Sequence, residues 1–254
     1  SRAVNATFTV RGGTPAISAG GIVSGATYLA GGVTPGLLVT LFGSGLGPAT
    51  LVAGAAGEDD KFPFILRGTQ VLFDGVAAPI IYASAKQTSV IVPYAVGTKL
   101  STQVTVVLDG ISSSPQAVDV ISAQLGLFST NASGQGQGAI LNQDSSVNSA
   151  SNPAKRGSIL VLYGSGEGLT TPNGVDGLIA SSVYPKPNTP VTVKIGGRDA
   201  ELLYYGAAPS LVAGVLQLNV RVPSGLADAS HPIQLFSGRT QSPASVTLAV
   251  AGTQ

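Results

Sequence analysis

One stretch occurs twice in this chain, and it restricts what the chain folds into more than any other feature. Leu41-Phe42-Gly43-Ser44-Gly45-Leu46-Gly47 is echoed by Leu162-Tyr163-Gly164-Ser165-Gly166-Glu167-Gly168. Each copy follows an apolar run rich in strand-favouring residues, 37–41 and 159–162, and neither is followed by a helical period. A strand that ends in a glycine-rich turn, used twice, predicts a duplicated domain. Other landmarks recur in the same order. Val71, Gly75, Ala78 and Tyr82 match Val193, Gly197, Ala200 and Tyr204; Val92-Pro93 matches Val222-Pro223; Pro115 matches Pro243.

The fold class follows from what the chain is made of. With 34 glycines, 16 prolines and only 10% charged residues among 254, the sequence reads as many short strands joined by tight turns. Turn signals recur often enough for about seven strands per half, which predicts an all-β protein of two tandem immunoglobulin-like β-sandwiches. The absence of cysteine removes thiol nucleophiles, thiolate metal sites and disulfides. A net charge of +1 with scattered basic residues and few aromatics gives no footprint for nucleic acid. The longest apolar runs are too short to span a bilayer as helices. No basic stretch followed by an apolar one opens the chain, and Ser1 in place of Met reads as a trimmed product. Low charge with abundant Gly, Ser and Thr points to an extracellular or cell-surface setting.

Along the chain, residues 1–19 form a unit of their own: Val4, Ala6, Phe8 and Val10 alternate with polar residues, then Gly12-Gly13-Thr14-Pro15 detaches them. A lone strand cannot satisfy its backbone or bury its apolar face. It is therefore an isolated N-terminal strand, a possible donor strand. Residues 20–125 make the first sandwich, and 126–254 an inter-domain hairpin and the second. Residues 53–63 read as an exposed polar loop. Asp74-Gly75 predicts a hairpin joining 70–73 to 78–83, and Asp109-Gly110 predicts another.

The landmarks Pro35-Gly36, the first glycine turn, Val92-Pro93-Tyr94, Gly136-Gln137-Gly138-Ala139, Asn148-Ser149, Asn152-Pro153-Ala154, Arg156-Gly157-Ser158 and Asn219-Val220-Arg221-Val222-Pro223 carry a resemblance. Together they resemble the Solibacter-type C-terminal domain of large secreted acidobacterial proteins, over residues 20–250. Each half also looks like the IPT/TIG immunoglobulin-like domains of surface receptors. The resemblance implies a fold and a secreted context. It transfers no catalytic residue.

Candidate chemistry is sparse. A phosphate cradle needs its glycine loop to open a helix, which neither copy does. Ser44 and Ser165 lie in no G-x-S-x-G elbow. His231, the only histidine, precedes Pro232 in an expected turn between strands. Glu58, Asp59 and Asp60 are calcium candidates by chemistry, although their spacing matches no defined calcium loop. Asn142, Asp144 and Asn148 make a thinner oxygen-rich set. Lys194 is the best-placed lysine for an isopeptide crosslink, and Tyr82, Tyr204 and Tyr205 are candidates for a sugar-stacking surface or for core. No catalytic residue and no cofactor is expected. The leading expectation is a non-enzymatic structural module joined head to tail, with Val4, Ala6, Phe8 and Val10 contacting a neighbouring subunit in a filament. The alternative is an adhesin or carbohydrate-binding module from the C-terminal end of a larger secreted protein, with glycans or other surface proteins as partners.

Overall fold

The computed structural model describes residues 13–253, so Val4, Ala6, Phe8 and Val10 lie outside the described residues. In the first half the strands are β1 (Ala16–Ser24), β2 (Leu38–Ser44), β3 (Val52–Ala53), β4 (Thr69–Phe73) and β5 (Val76–Ala77). They are followed by β6 (Ile80–Ala83), β7 (Gln87–Ile91), β8 (Ser101–Leu108), β9 (Ile111–Ser112) and β10 (Gln116–Asp119). One sheet runs β1-β2-β7-β6-β3 and the other β10-β8-β4-β5. All these pairings are antiparallel, in the strand order of an immunoglobulin-type sandwich.

The second half repeats the plan. Its strands begin with β11 (Gly126–Leu127), β12 (Gly136–Gln137), β13 (Ile140–Leu141), β14 (Ala154–Arg156), β15 (Ile159–Ser165), β16 (Thr170–Thr171) and β17 (Lys186–Pro187). They continue with β18 (Val191–Ile195), β19 (Arg198–Ala200), β20 (Leu202–Ala207), β21 (Leu216–Arg221), β22 (Ala229–Ser237), β23 (Thr240–Gln241) and β24 (Val246–Thr253). The sheet β11-β15-β21-β20 faces β24-β22-β18-β19, and β12 and β14 lie parallel to β24 on its outer edge. The protein is all-β, apart from a 3-10 turn at Tyr94–Thr98.

Alternation builds both cores. In β2, Val39 and Leu41 point inward with 0% exposure, while Leu38 and Phe42 face out. Leu160 and Leu162 of β15 do the same in the second sandwich. Each sandwich holds its own cluster, one around Phe73, Ile80 and Val104 and the other around Leu218, Leu235 and Leu248.

Both glycine turns end a strand, as the sequence implies, and the structure supplies the reason for their glycines. A Cβ on Gly43 would stand 2.0 Å from Ala16 O, and one on Gly164 would stand 2.3 Å from Gly126 O. In each sandwich the first strand crosses the turn at backbone contact, which no side chain permits. The Asp74-Gly75 hairpin is also repeated, by Gly196-Gly197, with positive φ at both central residues of each.

One expected hairpin is corrected. Strand β4 returns only through β5, and residues 80–83 form β6 in the opposite sheet. Pro79 separates the two arms: without an N–H it cannot extend the ladder, so the chain crosses over.

Candidate functional site

The feature that gathers most polar chemistry is the joint between the sandwiches. Ser165, buried at the end of β15, sits at its centre. Leu38 N–H donates to Ser165 Oγ at 2.8 Å, and Ser165 Oγ donates to Gly214 O at 2.8 Å. Ser44, its counterpart in the first turn, is exposed. Thr34 Oγ1 donates to Ser122 O at 3.1 Å, tying the start of the first sandwich to the linker.

Residues 53–63 are not simply a free loop. Residues 58–60 are exposed, but Ile179 N–H donates to Asp60 O at 2.8 Å and Phe62 N–H donates to Gly177 O at 2.9 Å. The excursion thus clamps the first sandwich onto the segment before β17. Hydrophobicity drives it: Phe62 and Ile179 line a cavity of about 420 Å³ with Leu38, Ile81, Phe128, Tyr163 and Val212. A neighbouring hollow of about 270 Å³ shares Leu38, Ile81 and Phe128 and adds Tyr28 and Tyr82.

Glu167 and Asp176 bring two carboxyls to the joint. Glu167 is 4% exposed, and burial pushes its carboxyl up to about 8, against the opposing pull of its own amide and that of Gly166. Burial also raises Asp176, whose Oδ1 accepts the Tyr94 N–H at 2.9 Å. The Tyr94 phenol is raised by burial first and then by Glu167 and Asp176. Its ring lies against Gly174, where a Cβ would approach Tyr94 Cζ to 2.1 Å.

The sequence-based candidates fare differently. Glu58, Asp59 and Asp60 occupy a tight turn in which Asp59 Oδ1 accepts the Lys61 N–H at 3.2 Å. Among the described residues no three His, Cys, Asp or Glu side chains are grouped to hold a metal. His231 is not in a turn but within β22, and its Nε2 lies 2.9 Å from Ala227 O. Lys194 pairs with Asp199 at 2.7 Å across the β18–β19 hairpin, facing outward rather than into a core. Tyr205, not Tyr204, packs on the second core, and Tyr204 Oη donates to Ala207 O at 2.7 Å. Asp144 is exposed, but Asn148 is fully buried and structural. Its Nδ2 donates to Ala249 O at 3.0 Å and its Oδ1 accepts the Ala249 N–H at 2.9 Å, so the side chain pairs with β24 as a peptide unit would. Asn142, Asp144, Asn152 and Lys155 line a polar hollow of about 380 Å³ beside it.

Ser165 and Glu167 were legible only as turn residues. Ser165 takes its meaning from Leu38, 127 residues away, and the turn around Glu167 takes its own from Gln124, whose N–H donates to Gly166 O. Another difference between the sandwiches is at a sheet edge. The outer edge of β6 is closed by β3, whereas its counterpart β20 ends its sheet with no strand beyond it among the described residues. Among the described residues Ala207, at one end, donates its N–H outward, to Pro185 O at 2.8 Å. Leu203, the second residue of this edge strand, at its bulge, is 44% exposed.

No family model and no curated protein matches the chain. Solved structures with partial likeness include the extracellular region of plexin A4, at 13% identity and a TM-score of 0.32, covering 94% of this chain and 16% of that one. A second is SGBP-B of the Bacteroides ovatus mixed-linkage glucan utilization locus, in complex with a mixed-linkage heptasaccharide. It is 15% identical with a TM-score of 0.33, over 87% of this chain and 43% of that one. A third is the gamma-CGTase of an alkalophilic Bacillus clarkii, at 12% identity and a TM-score of 0.30, over 98% and 29%. The chain spans less than half the length of each. Among the described residues no helix is long and apolar enough to cross a membrane.

Proposed function

We propose that the chain is a non-enzymatic extracellular structural module that assembles head to tail, the strand bearing Val4, Ala6, Phe8 and Val10 of one copy adding to the free edge of β20 in the next. The observation that supports this reading is the asymmetry of the two sandwiches: β6 has β3 paired on its edge, whereas among the described residues no strand pairs with the outer edge of β20, which meets only the Pro185 carbonyl at one end. An open strand edge offers unpaired N–H and C=O groups to an incoming strand. A contact between two different surfaces does not close on itself, and repetition yields a filament. The low charge and the resemblance to secreted acidobacterial domains support an extracellular location.

Removing the first twelve residues, or the single change Phe8→Asp, is expected to leave monomers in light scattering and electron microscopy where the full chain forms fibres. Leu203→Asp, at an exposed position on the acceptor edge, is expected to do the same without loss of stability. Fibres that persist in all three variants would refute the reading.

The adhesin alternative draws support from the polar hollow lined by Asn142, Asp144, Asn152 and Lys155, a donor and acceptor set suited to sugar hydroxyls. Its lining contains no aromatic ring for a sugar to stack on. Glycan-array binding that is lost in Asp144→Ala tests it.

A further inference from the structure

The joint leaves apolar space that belongs to neither core. Leu38 and Ile81 stand on strands of the first sandwich but outside its core, and Tyr163 stands in the same relation to the second. They meet Phe62, Phe128 and Ile179 around the cavity of about 420 Å³, and all six side chains are half-buried. A contact that served only to hold two sandwiches together would close such side chains on one another, because protein interiors pack as densely as organic crystals. Here they surround a hollow with an almost wholly apolar lining. Water finds few hydrogen bonds in such a space, which favours hydrocarbon in its place.

The neighbouring hollow of about 270 Å³ differs in kind. It shares Leu38, Ile81 and Phe128 with the first, so the two adjoin along these residues, but Tyr28 and Tyr82 bring phenols to it. Neither hydroxyl has a hydrogen-bond partner among the described residues. Tyr28 also holds a φ of 57°, a left-handed backbone that an aromatic residue rarely adopts. Strain of this kind gathers at ligand clamps, where the surrounding structure holds a side chain in position.

We propose that the joint binds a fatty acid, its single acyl chain in the larger hollow and its carboxyl group at Tyr28 and Tyr82. The volume of the larger hollow lies within the roughly 300–1,000 Å³ of small-molecule sites, and an apolar lining with a few convergent polar groups is the usual character of such sites. Two phenol donors suit a carboxylate, which accepts hydrogen bonds on both oxygens. Leu38 and Phe62 come from the first sandwich and Tyr163 and Ile179 from the second half, so a bound chain bridges the two.

The test is calorimetric titration of the full chain with dodecanoate below its micelle-forming concentration, with thermal unfolding alongside. Dodecanoate is expected to bind and to raise the unfolding midpoint by about 3 °C. Hexanoate, which is shorter by six methylenes, is expected to bind about a hundredfold more weakly or worse. Tyr28→Phe combined with Tyr82→Phe removes both hydroxyls and keeps the apolar surface, and is expected to weaken dodecanoate about tenfold. Ile81→Trp fills space at the wall shared by the two hollows and is expected to abolish binding. Unfolding without ligand establishes that each variant folds, and the phenol variant decides alone if Ile81→Trp does not. Absence of binding to the wild type overturns the proposal, as do equal affinities for dodecanoate and hexanoate. Unaltered dodecanoate binding in the phenol variant, or in a folded Ile81→Trp, overturns the site.

Discussion

Leu38 donates its backbone N–H to the hydroxyl of Ser165 across 127 residues of chain, so one side chain in the second glycine turn satisfies a group at the start of the first sandwich's second strand. The same hydroxyl reaches Gly214 O, which makes Ser165 a three-way pin. Ser165→Ala leaves a buried N–H and a buried carbonyl without this partner, at a cost of about 1–3 kcal/mol. Urea denaturation should show the loss, and the transition should broaden as the sandwiches begin to unfold separately.

Asn148 should be still less tolerant of change. Its side chain makes both backbone bonds to Ala249 and also donates to Asn142 Oδ1 at 3.0 Å. Asn148→Ala is expected to destabilise by about 2–4 kcal/mol, because several buried groups lose partners together. Asn148→Asp keeps the acceptor and loses the donor, so it should not rescue stability. Chemical denaturation of the two variants checks both statements.

Asp74 sets an acid limit on the first sandwich. Hydrogen bonds from Lys99, the Gln103 amide and Thr102 hold its carboxyl down at about 2. The folded form thus releases its proton more readily than the unfolded chain, and the stabilisation is complete above about pH 4. It is lost as the pH falls from there through about 2. Asp74→Asn should be less stable than the wild type at pH 6, with the gap closing towards pH 2 in denaturant midpoints.

The glycine turns offer a paired test. Gly43→Ala and Gly164→Ala each place a Cβ against the carbonyl of a crossing strand. Each should destabilise by roughly 2 kcal/mol or more, since backbone on both sides leaves little room to relax. Alanine at exposed Ser44, one residue along, should be nearly silent by the same measurement.

Much of the architecture was legible because it rests on local rules. Alternation in β2 and β15 fixes which residues face each core, and the Asp74-Gly75 turn fixes a hairpin through its backbone geometry. The misplacement of residues 80–83 has a local cause as well, the weight of Pro79 against the apolar run that follows. The candidate site was far less legible. Glu58, Asp59 and Asp60 drew attention as a run of charge, yet the turn points them into solvent, while Glu167 stood alone among glycines and gave no pattern.

The sequence by itself determined the all-β character, the duplication and the two glycine turns, because strand period, turn geometry and repetition are carried by residues close together in the chain. Tertiary structure alone decided that the second turn is also half of a joint. Leu46 and Glu167 occupy the same place in the repeat and differ in side chain, but only the folded chain shows what surrounds each. Around Leu46 its own core closes; beside Glu167 the linker residue Gln124 bonds to Gly166, and burial at that joint is what raises the carboxyl of a turn residue.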